Sequence, residues 1–151
     1  MAKTDIKRIR FFYFDQSFYF PERNPTKAFL ISVFRSEGFK LNTVNYNFCS
    51  DAYLFKLNIA HLNHKTFTDI ITFQYSLSTE PVSAEIYISI DRIKENAQLF
   101  NVSFLNELYR VLIHGALHLC GYGDKTKKEA LLMRKKENFY LEKIVPRGTK
   151  L

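Results

Sequence analysis

The sequence predicts an α+β domain in which helices pack on a small sheet. Segments with the period-two pattern of strands and segments with the helical period are mixed along the chain, and they do not alternate as regular βαβ units would. About four segments have the strand pattern. The chain also shows no internal repeat, low-complexity tract or Gly/Ser linker, so we expect one domain over residues 1–151.

The first half of the chain is predicted to hold two strands and two helices. Residues 8–14, RIRFFYF, form an aromatic-rich strand. Residues 25–38 form a helix, because Pro25 is favoured in a first turn and a glycine ends the apolar pattern. Residues 41–50 alternate as a strand does. Residues 50–63 begin with a capping Ser-Asp pair and continue with leucines at helical spacing.

The second half is predicted to hold two strands and then two helices. Residues 68–76 are β-branched and aromatic, and residues 84–91 alternate strictly between isoleucines and other residues. Residues 103–121 form a long apolar helix that Gly121 closes. Residues 126–145 form an amphipathic and very basic helix.

Charge and composition narrow the function. The 22 Lys and Arg outnumber the 15 Asp and Glu, giving a net charge of +7 and a pI near 9.4. Such an excess favours a polyanionic partner such as nucleic acid, although solubility alone also accounts for it. The two cysteines, Cys49 and Cys120, form no disulfide framework and no CxxC pair. With neither a signal peptide nor an apolar run long enough for a membrane span, we expect a cytoplasmic protein.

The stretch HGALHLCGYGD, residues 114–124, predicts a metal site. His114 and His118 are four residues apart, so on a helix they lie on one face and can share an ion. Gly121 can end the helix and turn the chain, which brings Asp124 back as a third ligand. Three protein ligands leave a position for water, as in catalytic zinc sites. The alternative is that the histidines are ordinary core or interface residues.

The same stretch lacks a residue that zinc proteases need. Those enzymes place a glutamate directly after the first histidine as general base, and here that position is Gly115. A peptidase with this helix would lack its base. The chemistry is therefore expected to be one in which the base comes from elsewhere or is not needed.

These residues resemble the signature of the YbeY endoribonuclease family. The pattern His-Gly-x-Leu-His-Leu-x-Gly-Tyr, followed by a third ligand and by Glu-Ala-x-x-Met-x-x-x-Glu, is matched from His114 to Glu137. Three upstream blocks are also similar to the family and stand in its order: SDAYLFKLN, TDIITF and AEIYISIDRIKENA. The resemblance covers about residues 45–140.

The resemblance implies a fold and a function. The fold is a small mixed β-sheet with helices packed around it and a metal site at the end of a central helix. The function is metal-dependent single-strand endoribonuclease activity in small-subunit ribosomal RNA maturation and ribosome quality control. The implied cofactor is one zinc ion per chain. The implied partners are precursor ribosomal RNA, the small ribosomal subunit, a ribosomal protein and an assembly GTPase.

The sequence departs from the family pattern at three positions. The third ligand is usually histidine, and the matching residue here is Asp124. An aspartate adds negative charge and makes a harder ion somewhat more plausible than it would be with three histidines. The usual arginine six residues before the Thr-Asp strand is Leu62, and the strand glycine is Ala84.

Further site residues follow from these blocks. Asp69 and Glu85 are candidate catalytic residues, as general base or as supports for a ligand imidazole; a capping or salt-bridging role is the alternative for each. His64, Lys65 and Lys125 are candidate RNA-binding residues. Two other functions stay open: a non-catalytic ribosome-assembly factor with a structural metal, and another kind of metallohydrolase.

Overall fold

A computed structural model describes residues 6–62 and 69–145 of the chain. The strands within these residues are β1 (Ile9–Tyr13), β2 (Leu41–Cys49), β3 (Ile70–Gln74) and β4 (Val82–Ser89). The helices are α1 (Arg23–Ser36), α2 (Asp51–Leu62), α3 (Ile90–Leu99), α4 (Phe104–Leu119) and α5 (Lys127–Ile144). The predicted α+β class is confirmed. Of the five helices, only α3 was not marked out by its own sequence pattern.

The end of β4 differs from the prediction. Residues 84–91 were expected to be strand throughout, but Ile90 is the first residue of α3. The Ser89 side chain accepts a hydrogen bond of 3.2 Å from the backbone N–H of Arg92, which caps the new helix. The alternation of isoleucines therefore continues beyond the strand, and the strand itself ends at the capping residue Ser89.

The four strands form one mixed sheet in the order β1-β2-β4-β3. β1 runs parallel to β2 and β2 runs parallel to β4, while β3 pairs with β4 in the antiparallel direction. Tyr46 on β2 is thus opposite Ile86 on β4, which is opposite Thr72 on β3. The small mixed sheet is as expected.

The two faces of the sheet are covered by different helices. Ile86 and Tyr46 are fully buried in the main core, which also contains residues of α1, α4 and α5. The alternate residues Glu85 and Tyr87 point to the other face, since successive side chains of a strand alternate. There Leu54 of α2 packs in a second, smaller core.

The ends of α4 are fixed by local hydrogen bonds. The Ser103 side chain caps its N-terminus. Gly121 follows its C-terminus with φ +97°, a conformation that glycine adopts without strain. The N–H groups of Gly121 and Tyr122 donate to the carbonyls of His118 and Leu117, both at 3.0 Å, which is a Schellman motif. The predicted closure of this helix by Gly121 is confirmed.

The structure also bears on the expectations for the two cysteines and for membrane-spanning segments. Cys49 and Cys120 are both buried and free, and burial raises the pKa of each thiol to about 12. Among the helices of the described residues, none combines the length and apolar character that a bilayer crossing requires.

Candidate metal centre

The structure brings the three predicted metal ligands together. His114 and His118 lie on the last turns of α4, and Asp124 lies in the loop before α5. The Nε2 atoms of both histidines are 3.4 Å from Oδ2 of Asp124. One ligand atom from each residue lies within 4.8 Å of the other two. These side chains form a site that can hold a metal ion.

Two of the separations between the candidate ligand atoms match those around a zinc ion. Zinc bonds of about 2.0–2.1 Å separate neighbouring ligand atoms of a tetrahedron by about 3.3–3.4 Å. Both Nε2–Oδ2 distances equal this separation. The side chains of His114 and His118 are 19% and 25% exposed, and that of Asp124 is 42% exposed. The site is therefore open to solvent on the Asp124 side, where a substrate can approach.

The second nitrogen of each imidazole is held by another group. His118 Nδ1 donates to the backbone carbonyl of Tyr122 at 2.9 Å. His114 Nδ1 donates to the Glu137 carboxylate at 2.6 Å. Each contact places the proton on Nδ1, so the lone pair of Nε2 is free to bind an ion. Both imidazoles are thus held in the tautomer that a metal ligand needs.

Glu137 of α5 is the centre of a small ionic cluster between α4 and α5. Its side chain is 5% exposed, and its Oε1 lies 3.1 Å from the Arg110 guanidinium. Burial raises the pKa of Glu137, but the contacts with His114, Arg110 and Arg134 outweigh burial and lower it overall. Burial lowers the pKa of His114, but the hydrogen bond and the charge of Glu137 outweigh burial and raise this pKa overall. The pair is a charge-assisted contact in the metal-free protein.

A second carboxylate fixes the loop that carries Asp124. Glu37, just beyond α1, accepts a hydrogen bond of 2.7 Å from the Tyr122 hydroxyl. It also contacts the Tyr140 hydroxyl and, at 3.2 Å, the Lys136 ammonium group, both on α5. Tyr122 is the residue whose carbonyl holds His118. One buried carboxylate therefore links α1, α5 and the ligand loop.

The position of Gly115 explains why no glutamate follows the first histidine. A Cβ atom at Gly115 would lie 3.1 Å from the Cδ1 atoms of both Ile70 and Ile86. This side of α4 packs directly on β3 and β4. A side chain at this position points towards the sheet and would require Ile70 and Ile86 to move, so the packing disfavours the protease glutamate here.

The two predicted catalytic carboxylates, Asp69 and Glu85, lie in different parts of the structure. Asp69 lies at the start of β3 and lines the same cavity as His114. Glu85 is on the other sheet face, where its carboxylate accepts hydrogen bonds from the Asn45 and Asn47 amides at 3.0 and 2.5 Å. The structure therefore brings Asp69 to the cavity beside His114 and does not bring Glu85 there.

The three predicted RNA-binding residues are only partly described. Lys125 is exposed and directly follows the ligand Asp124. His64 and Lys65 lie outside the described residues.

Sequence reasoning gave no role to Glu37, Glu137 or Arg110. One signal was available for Glu137, because it is an acidic residue at helical spacing with the buried Met133 and Tyr140 of α5. A carboxylate on the buried face of a helix needs a partner. Glu37 is 85 residues from Tyr122, and no local pattern joins them.

Comparison with known proteins agrees with the resemblance. The family model described as Endoribonuclease YbeY matches residues 22–145. Endoribonuclease YbeY of Flavobacterium johnsoniae is 50% identical over 111 residues, which is 74% of this chain and 76% of that protein. Endoribonuclease YbeY of Amoebophilus asiaticus is 42% identical over 143 residues, 93% of this chain and 94% of that protein. A solution structure of a Thermotoga maritima protein is similar with a TM-score of 0.61 and 30% identity, covering 90% of this chain and 88% of that one.

Proposed function

This chain belongs to the Endoribonuclease YbeY family, and from that premise we propose that it is a metal-dependent single-strand endoribonuclease of small-subunit ribosomal RNA maturation and ribosome quality control. The observation that supports metal dependence is the convergence of His114, His118 and Asp124 on one point. Each imidazole has its other nitrogen occupied, as catalytic zinc sites require.

We propose one zinc ion per chain as the cofactor. Two imidazole nitrogens and one carboxylate oxygen are a donor set that zinc accepts, with a fourth position left for water or substrate. When bound there, zinc supplies Lewis acidity towards a phosphodiester oxygen and towards water. Asp124 adds one negative charge to the site, which a third histidine would not.

The chain's own residues supply the remaining functions. Attack on the phosphodiester, by water or by the RNA 2′-hydroxyl, needs a group that accepts a proton. Asp69 is the better placed of the two predicted carboxylates, because it lines the cavity that His114 also lines. Glu85 is engaged by two asparagine amides on the opposite sheet face. We therefore propose Asp69 as the proton acceptor.

Basic residues beside the site suit an RNA substrate. Lys125 adjoins the ligand Asp124, and Lys127 and Lys128 begin α5 immediately afterwards. The net charge of +7 favours a polyanion over the whole surface. His64 and Lys65 remain proposed RNA contacts. The small ribosomal subunit, a ribosomal protein and an assembly GTPase remain proposed partners, and the cytoplasm remains the proposed location.

The proposed function is tested by metal content and RNA cleavage together. Wild-type protein, His118→Ala and the exposed control Gln98→Ala are purified in parallel, and zinc is measured by elemental analysis. Each is then incubated with a single-stranded segment from the 3′ end of small-subunit ribosomal RNA. We expect about one zinc per chain and cleavage in the wild type and the control, and neither in His118→Ala.

Two other outcomes would replace the proposal. Zinc in the wild type without cleavage, even on intact precursor particles, would favour a non-catalytic assembly factor with a structural metal. Peptide cleavage without RNA cleavage would favour another metallohydrolase, which Gly115 at the protease glutamate position argues against.

A further inference from the structure

A cavity of about 220 Å³ lies beside the metal ligand His114. It is open to solvent on one side and is lined by residues next to the start of β3, at the end of α3 and on α4 and α5. The residues that matter for its chemistry are Asp69, Asn96, Phe100, Glu107, His114 and Arg134. Pockets for drug-sized ligands usually measure about 300–1,000 Å³. This cavity is smaller and suits a single planar ring system.

One residue that lines the cavity, Glu107, carries a buried acceptor that lacks a donor. Glu107, on the first turn of α4, is 3% exposed. Its Oε1 atom is buried and has no hydrogen-bond partner among the described residues. The nearest cation is Arg110, whose Nε is 3.6 Å away, beyond hydrogen-bond distance. Burial raises the pKa of this carboxyl group, since no donor replaces the lost water.

Phe100 gives the cavity an aromatic wall. It directly follows α3, where its N–H donates to the Asn96 carbonyl at 2.9 Å. Its side chain is 51% exposed, so the ring stays available for stacking. Base–aromatic stacking is a general means by which proteins hold single-stranded nucleic acid. The Asn96 amide adds a group that both donates and accepts.

The rim of the cavity suits a nucleotide backbone. Arg134, on α5, is 53% exposed and only weakly paired with Glu137 at 3.6 Å. Its guanidinium can contact a phosphate while the base lies inside. Because His114 lines the same cavity, a nucleotide bound here has its phosphate next to the ligand cluster.

From these contacts we propose that the cavity is a nucleobase subsite, in which Phe100 stacks on a base and the Glu107 carboxylate, turned towards the cavity, accepts a hydrogen bond from the exocyclic amino group of that base. The subsite selects the bases that carry such a group, adenine, cytosine and guanine, over uracil. Uracil presents its one ring N–H between two carbonyl oxygens, which a buried carboxylate repels. The inference rests on the proposed endoribonuclease function. The base bound in the subsite would belong to the nucleotide next to the phosphate that is cleaved.

The test compares three single-stranded RNA oligonucleotides, oligo-A, oligo-C and oligo-U, with zinc-loaded enzyme. For the wild type we expect kcat/KM for oligo-A and oligo-C to exceed that for oligo-U about tenfold. In Glu107→Gln, whose amide can pair with any of the bases, the ratio should fall to within about threefold. Phe100→Ala should lower kcat/KM for all three about tenfold, and Phe100→Tyr should restore it.

A matched control is Phe12→Ala. Phe12 is 43% exposed, but it pairs with Asn47 in the sheet and so lies on the face opposite α4. It should leave all three rates unchanged. Equal rates on the three oligonucleotides in the wild type, or an undiminished preference in Glu107→Gln, would overturn the subsite and leave the nuclease function standing.

Failure of the proposed function can be separated from failure of the subsite. If no oligonucleotide is cleaved, binding of AMP, CMP and UMP is measured by NMR shift perturbation on the same proteins. A preference for AMP and CMP that is lost in Glu107→Gln supports the subsite without any cleavage. Absence of binding, or binding without preference, overturns it.

Discussion

Replacing Glu137 by glutamine should weaken zinc binding although Glu137 is not itself a ligand. In the wild type, the Glu137 carboxylate accepts two hydrogen bonds. Oε2 accepts one from His114 Nδ1 at 2.6 Å, and Oε1 accepts one from the Arg110 guanidinium at 3.1 Å. A glutamine keeps the size of the side chain but has only one acceptor oxygen. It can satisfy His114 or Arg110, and not both.

Either orientation of the amide has a cost. If the oxygen faces Arg110, the amide NH₂ faces His114 and forces its proton onto Nε2, the atom that must bind the ion. If the oxygen faces His114, the NH₂ group opposes the guanidinium inside a nearly closed site. Groups that orient metal-bound histidines typically contribute 10–100-fold to affinity, about 1.4–2.7 kcal/mol. We expect an effect near the upper end of that range.

The assay is competition for zinc against a chromogenic chelator, on wild type, Glu137→Gln and Glu95→Gln. Glu95 is a matched control because it is also a helical glutamate paired with an arginine, but its side chain is 68% exposed. Thermal unfolding of the metal-free proteins measures any general loss of stability separately. If Glu137→Gln bound zinc within threefold of the wild type, the carboxylate would be a structural ion-pair partner only, and the reasoning given for His114 would be refuted.

Substitutions at three further positions test other parts of the site. Asp124→His should keep zinc in elemental analysis, because a third ligand remains, whereas Asp124→Ala should lose it. Gly115→Glu should lower the free energy of unfolding in urea by about 3 kcal/mol or more, since the carboxylate would be buried against Ile70 and Ile86. Burial raises the pKa of Glu37, but hydrogen bonds from two tyrosines and a lysine lower it overall, so its stabilising effect is present at neutral pH and lost as the pH falls through that lowered pKa. Acid unfolding of Glu37→Gln should therefore show a weaker pH dependence than that of the wild type.

Each of these has a contradicting result. Zinc retained by Asp124→Ala would remove Asp124 from the ligand set. A stable Gly115→Glu protein would show that α4 can move away from the sheet. Identical acid profiles for wild type and Glu37→Gln would mean that the three hydrogen bonds do not depend on the carboxylate charge.

Local patterns predicted most of the elements and the proximity of His114, His118 and Asp124, because these depend on residues close in sequence. Apolar spacing and the closing glycine define α4, and the four-residue separation of His114 and His118 depends only on helix geometry. The pairing of β2 with β4, which leaves β3 at the edge, depends on contacts between distant segments. The same holds for Glu137, which is 23 residues from His114. No spacing rule predicts such partners.

The position of Glu85 could have been predicted more closely. Its neighbours Ile86 and Ile88 form the apolar face of β4, and an apolar helix such as α4 must cover that face. Glu85 then points away from α4 and from its histidines. The prediction assumed that a residue of β4 lies near the site wherever its side chain points. Because side chains alternate along a strand, Glu85 faces the side of the sheet opposite α4.

The division of the ligands between α4 and a surface loop affects how this site can evolve. The two histidines lie on a helix whose Gly115 side is fitted closely against the sheet, so substitutions around them disturb the core. Asp124 lies outside that core, between a glycine-closed helix end and the capping box of Thr126 and Glu129. We therefore expect that exchanging aspartate for histidine at position 124 disturbs the core less than a substitution at either histidine of α4.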